Sequence, residues 1–166
     1  MRAFKLLLAL LIASLAVSAF GWQSEKGPEQ PVSFSHKLHA GDQKLKCATC
    51  HRNAGSGDTM GLPQAGICMQ CHEDVKKESP EIQKLAGFQR DRTDIKWRRV
   101  FSIPSYVFFS HRSHLNAGTS CESCHGDVKG VERMYQIKVV NMASCVNCHQ
   151  EKSVSTDCTY CHEKMN

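Results

Sequence analysis

At 166 residues the chain is long enough for one compact domain or two very small ones. It carries 21 Lys and Arg against 16 Asp and Glu, a formal net charge of +5, together with 10 Cys and 9 His. No basic run of five residues and no aromatic stacking platform accompany this mild basicity, which excludes a nucleic-acid surface.

The first segment reads as an export signal. Arg2 and Lys5 form a positive start, Leu6 to Ala16 an apolar stretch, and Val17-Ser18-Ala19 a small-residue cleavage pattern. The apolar run to Trp22 is short for a membrane span, so cleavage over residues 1–21 is expected, with an uncleaved anchor as the alternative. Either reading places the remainder outside the cytoplasmic membrane, in the periplasm or against the outer membrane face of that bilayer. Residues 22–31 are polar, contain two prolines, and read as a flexible lead-in.

Next comes the phrase Val32-Ser-Phe34-Ser-His36-Lys-Leu-His39, which returns as Val107-Phe-Phe109-Ser-His111-Arg-Ser-His114. Each copy is followed by a Gly and then by Cys-x-x-Cys-His, so the chain is an internal repeat. The first unit, 32–78, carries Cys47-Ala-Thr-Cys50-His51 and Cys68-Met-Gln-Cys71-His72. The second, 107–166, carries Cys121-Glu-Ser-Cys124-His125, Cys145-Val-Asn-Cys148-His149 and Cys158-Thr-Tyr-Cys161-His162. Residues 79–106 form a linker. Within it, Ser79 is a candidate N-cap, Pro80 suits the first helical position, Ile82, Leu85 and Phe88 share a face, and Gly87 is a plausible stop.

All ten Cys fall in the five pentapeptides, and five of the nine His close them. The spacing has a chemical reason. Residues i, i+3 and i+4 of a helical turn share a face, so two thiols hold the vinyl edge of a porphyrin while the His reaches its iron. Five covalently bound haem c groups are the predicted cofactors, with His51, His72, His125, His149 and His162 as proximal ligands. A disulfide framework leaves the His after every pair unexplained. Zinc sites would need ligands partitioned in fours.

Four His lie outside the pentapeptides: His36, His39, His111 and His114. They come as two His-x-x-His pairs, and each pair is expected to give its imidazoles to two different irons. Five irons need ten axial ligands and the chain has nine His, so the tenth is Met, water or nothing. Met142 is the first choice among the methionines and Met134 the second; His/Met ligation raises a haem potential.

Leu, Ile, Val and Phe make up only 25 of the 145 residues after position 21. Such a chain is poor in core material, and porphyrins would supply the missing apolar surface. Trp97 is expected to be buried against a haem face. The predicted fold is therefore mostly irregular, with short α-helices, a haem-packed core and two pseudo-repeats. Without haem it should be largely unfolded.

The phrase Phe-Ser-His-x-x-His ahead of Cys-x-x-Cys-His resembles the class III multihaem cytochromes c. The order of elements resembles the pentahaem cytochrome subunit of alternative complex III, a bacterial quinol:electron-acceptor oxidoreductase. The residues that carry this are Pro31-Val-Ser-Phe34-Ser-His36-Lys-Leu-His39, Gly61-Leu-Pro63, Trp97-Arg-Arg-Val100, Pro104-Ser-Tyr-Val107-Phe-Phe109-Ser-His111 and Met142-Ala-Ser-Cys145. The resemblance implies a non-catalytic electron-transfer subunit of a quinol-oxidising respiratory complex. Its partners would be an iron–sulfur/molybdopterin-like subunit and a monohaem cytochrome c or oxidase. It also implies that His36 and His111 serve the haem next in sequence, and that His39 and His114 reach a more remote one. A free-standing periplasmic carrier, or a small-molecule reductase using one haem with an open distal side, are the alternatives.

Overall fold

The structure, a computed structural model, describes residues 27–162. The expected signal segment and most of the lead-in lie outside the described residues. Seven short α-helices are present: α1 Cys47–Cys50, α2 Ala65–His72, α3 Pro80–Arg90, α4 His111–Asn116, α5 Cys121–His125, α6 Met142–Glu151 and α7 Cys158–Cys161. A π-helical segment, Lys37–Asp42, and a 3₁₀ turn, Val128–Gly130, complete the helical content. Among the described residues the β structure amounts to one isolated antiparallel bridge, Val107 to His162. No helix there is long and apolar enough to cross a membrane.

Each Cys-x-x-Cys forms one helical turn, as the spacing requires. The closing His is inside the helix for α2, α5 and α6. In the first and fifth pentapeptides it lies one residue past the helix end, and His162 is fully extended, with φ −120° and ψ 139°. A short turn is marginal alone, since helix nucleation costs more than one turn returns. Local caps help two of the elements. Ser110 Oγ accepts from Ser113 N, and Asn141 and Ser144 form a reciprocal capping box at the start of α6.

The two units meet through a pseudo-twofold seam. In the first phrase, Lys37 N donates to Val131 O at 2.9 Å and Lys37 Nζ lies 3.6 Å from Glu132 Oε1. In the second, Arg112 N donates to Gly57 O at 3.3 Å and its guanidinium lies 3.7 Å from Asp58 Oδ1. Lys37 and Arg112 hold the same place in the repeated phrase. Val131 and Gly57 each stand six residues after the His of the first pentapeptide of the opposite unit. Close approach matters at this seam: a Cβ on Gly41 would lie 2.5 Å from Lys129 O.

The protein core is one-sided. Val32, Ala65, Met69, Ile82, Leu85 and Ile95 form a buried cluster, with Cys68, Ala86, Phe88 and Trp97 packed against it. Helix α3 starts at Pro80, as predicted, and buries Ile82 and Leu85 on α2 and Val32. It does not stop at Gly87 but runs to Arg90, because an interior Gly weakens a helix without ending one. The segment expected as a linker thus puts its helix into the first unit. Trp97 packs on this cluster and donates its Nε1–H to Pro63 O at 2.7 Å. Among the described residues, Val131 is the only buried apolar side chain after residue 95.

The same place in the two units is filled differently. Ser33 N donates to Glu81 Oε2 at 2.7 Å, beside the start of α3. Its counterpart in the repeat, Phe108 N, donates to Cys161 O at 2.8 Å, in the fifth pentapeptide. The same backbone donor of the repeated phrase thus meets α3 in the first unit and α7 in the second.

Candidate functional site

None of the ten cysteines is paired with another in a disulfide. Among the described residues no three Cys, His, Asp or Glu side chains converge as a zinc site would require. The thiols are instead gathered pentapeptide by pentapeptide. Burial raises the Cys50 thiol, Arg52 opposes this, and Cys71 and Cys47 add to it. Burial raises Cys68, with Cys50 next. Cys121 is raised by burial and by the neighbouring Cys47 thiol across the seam. Cys124 is raised by burial and by Cys145 and Cys148. The second pentapeptide thus lies beside the first, the first beside the third, and the third beside the fourth.

The spare histidines seek out the closing ones. The ring centroids of His39 and His72 are 6.1 Å apart, those of His111 and His125 6.4 Å, and those of His114 and His149 6.1 Å. The planes of His111 and His125 differ by only 3°. His36 is half-buried next to His51: partial burial pushes its imidazole down to about 4, and His51 and His39 add to the shift. Burial lowers His125 as well, followed by His111 and His51. At His36 and His125 burial thus favours the neutral imidazole, the form that binds metal.

A second layer orients them. His39 Nδ1 donates to Ser35 O at 2.9 Å, and His114 Nδ1 to Ser110 O at 2.8 Å. His111 Nδ1 donates to Asp58 O at 3.0 Å, across the seam. Among the closing histidines, His51 reaches Gly61 O at 3.1 Å, His72 reaches Val75 O and His149 reaches Ser155 O, both at 2.9 Å. A proton on Nδ1 leaves the Nε2 lone pair for a metal. Phe34 stacks on His39 at 4.5 Å and meets His36 edge-on at 4.9 Å. Phe109 repeats this, with His114 at 4.6 Å and His111 at 4.7 Å. These bracing phenylalanines were visible in the repeated phrase, but their role was not.

The fifth pentapeptide is different. The side chain against the His162 ring is Tyr106, with centroids 5.9 Å apart and planes 26° apart. Met142, the expected tenth ligand, is the first residue of α6 and is 67% exposed. It heads the helix of the fourth pentapeptide. Met134 places its backbone against Gly27.

The residues present fit haem. Two imidazoles bound to one metal at about 2 Å each put their ring centroids about 6 Å apart, which is the separation seen in three pairs. His36 offers a further observation: its Nδ1 is buried with no hydrogen-bond partner among protein atoms. The family described as cytochrome c7 and related cytochrome c matches the chain twice, over residues 32–89 and 107–164. This chain is a member of the cytochrome c7 family. The two matches coincide with the two units of the fold, and the first takes in helix α3. Cytochromes of this family carry covalently bound haem c and transfer electrons. The chain is also similar to the menaquinone reductase, multiheme cytochrome c subunit, of Nitratidesulfovibrio vulgaris (strain Hildenborough), at 30% identity over 178 residues, covering 87% of this chain and 84% of that one.

Proposed function

We propose that this cytochrome carries five haems and serves as the exported electron-transfer subunit of a quinone-linked respiratory complex. The observation that supports it most is the three His–His pairs at 6.1–6.4 Å, each joining a spare histidine to a closing one. Haem iron held between two imidazoles supplies one-electron oxidation and reduction with no coordination site left for a substrate. The ligand sets are His36 with His51, His39 with His72, His111 with His125, and His114 with His149. The chain's own contribution is to keep those pairs from moving. Backbone carbonyls fix the imidazole tautomers, and Phe34 and Phe109 fix the ring planes. A site that stays put between redox states has little to reorganise.

The complex itself is the finer part of this reading. The likeness to alternative complex III points to quinol oxidation and to an iron–sulfur/molybdopterin-like partner. The relative named as a menaquinone reductase subunit favours the opposite direction, from a periplasmic donor toward the quinone. We adopt the second, because that relative spans both units. The test is purification of the mature protein from membranes with its partners. A mass equal to the cleaved chain plus five haems is expected, with reduction by a periplasmic donor and reoxidation by a menaquinone analogue. A mass equal to bare polypeptide ends the haem reading. A five-haem protein recovered alone from the periplasm, or one reduced by quinol and reoxidised by a monohaem cytochrome, ends the reading of the complex.

A further inference from the structure

We propose that the loop 52–61, turned by Gly61 and clasped by Arg112, is a shared positioning element that holds one histidine of each unit and so couples the first and third pentapeptide sites. This rests on the reading of the histidines as haem ligands.

Two carbonyls of one short loop carry it. Gly61 O accepts from His51 Nδ1 at 3.1 Å, at the closing histidine of the first pentapeptide. Three residues earlier, Asp58 O accepts two donors from the other unit, His111 N at 3.1 Å and His111 Nδ1 at 3.0 Å. These histidines belong to different pairs: His111 faces His125, while His51 has His36 beside it. A shift of the loop therefore moves an imidazole in each unit.

The loop is held from inside and from across the seam. Gly61 has φ +72°, in the left-handed region, and a Cβ there would lie 3.3 Å from Asn53 Nδ2. Asn53 O in turn accepts from Ser56 N at 3.3 Å and from Gly57 N at 2.8 Å. Arg112 N donates to Gly57 O at 3.3 Å, and its guanidinium donates to Ser56 O at 3.3 Å and stands 3.7 Å from Asp58 Oδ1. An exposed ion pair of that kind contributes little alone. What Arg112 adds is a hold on three consecutive residues, the last of which carries the carbonyl that His111 uses. Past Gly61, Pro63 O accepts from Trp97 Nε1 at 2.7 Å and ties the chain to the core of the first unit.

The location gives this hold a purpose. Cys47 neighbours Cys121, and His51 neighbours His125, so the first and third pentapeptides adjoin, one from each unit. An electron passing between the units there crosses between the two sites that the loop serves. A carbonyl on Nδ1–H fixes the plane of a ligating imidazole and strengthens it as a donor. One loop thus sets a ligand on both sides of the crossing.

The test is EPR of the oxidised holoprotein together with amide hydrogen exchange, on Gly61→Ala. Phe34→Ala marks the signals of the His36 and His39 sites, and Phe109→Ala marks those of the His111 and His114 sites. Gly61→Ala is expected to move one signal from each set and leave the other two, with exchange of the His111 and Arg112 amides about tenfold faster. Movement confined to one set, or no movement, overturns the proposal. Leu85→Ala, in the core between α2 and α3, should leave those two signals in place. If it moves the same two, the shift is general loosening and the proposal falls. Should Gly61→Ala fail to fold, Arg112→Gln loosens the loop with Gly61 intact. It should speed the same two amides and move the His111 signal, and Arg112→Lys, which copies Lys37 of the first unit, should restore part of both; unchanged exchange and an unmoved signal in Arg112→Gln overturn the coupling. A wild-type protein without bis-His signals ends the haem-ligand reading instead, and the exchange rates then still decide whether the loop holds His111.

Discussion

Phe109 braces two irons at once, and Phe109→Ala should disturb both. Its ring lies 4.7 Å from His111, edge-on at 87°, and 4.6 Å from His114 at 32°. Aromatic contacts of this kind are worth about 0.5–1.5 kcal/mol each, so the two together give about 1–3 kcal/mol. Phe109 is only half-buried, so the lost apolar area adds about 1 kcal/mol. The expected destabilisation of the holoprotein is therefore about 2–4 kcal/mol, or a fall in Tm of about 5–15 °C for a chain of this size. Stability alone would not identify the mechanism. The telling assay is EPR of the oxidised protein, in which each low-spin signal depends on the angle between its two imidazole planes. That angle is 3° for His111 with His125 and 38° for His114 with His149. Phe109→Ala should broaden or move both of those signals and leave the other two bis-His haems as they are. Phe34→Ala should do the reverse. Phe109→Leu restores apolar volume but no ring face, so stability should largely recover while the spectral change persists. The argument fails if Phe109→Ala leaves all four signals in place, or if Leu restores the spectrum as well as the stability.

Gly41→Ala forces a Cβ to within 2.5 Å of Lys129 O and should cost about 2 kcal/mol by parting the seam. Gly130→Ala, with nothing within 4 Å of its Cβ, should change stability by less than about 0.5 kcal/mol; equal melting of the two variants would refute the close approach. Leu85→Ala, at a site 5% exposed, should cost about 3 kcal/mol, with hydrogen exchange speeding up in α2 and α3 while the haem count stays at five. Acidification should weaken the fold through His36. Its folded value, about 4, lies below the ordinary 6.5, so the unfolded chain takes up a proton that the folded one refuses. Stability is then full above about 6.5, falls as pH drops toward 4, and levels off below. Denaturant midpoints from pH 7 to 4 should show this slope.

The haem chemistry was legible because it is local. A Cys, a Cys three residues on and a His after it need only one helical turn to work together, and five copies leave no cysteine over. The repeat was legible for the same reason, as were Ser79-Pro80 and the start of α3 at Pro80. What could not be read was whatever depends on distant pairing. Nothing in His39 or His114 says that they would meet His72 and His149. The distances that settle this arise from the seam, where Lys37 and Arg112 each bind a loop of the opposite unit. The stacking of Phe34 and Phe109 on two imidazoles each follows from the π-helical segment and α4 beginning just after them. The packing partner of α3 was not legible, because an amphipathic helix in a linker looks the same whether its apolar face finds a porphyrin or a protein core. The choice of Met142 rested on closeness in sequence to a pentapeptide, which says nothing about which iron a side chain can reach.

Helix α3 and helix α7 answer to the same backbone donor in the two units, Ser33 N in one and Phe108 N in the other. On the five-haem reading proposed above, aliphatic side chains in one unit would stand where the other holds a tetrapyrrole plate. Such a unit can shed or acquire a redox centre without rebuilding its framework, provided an equal volume of oily material takes the place. Duplicated cytochromes built this way would be free to differ in wiring while keeping one chassis.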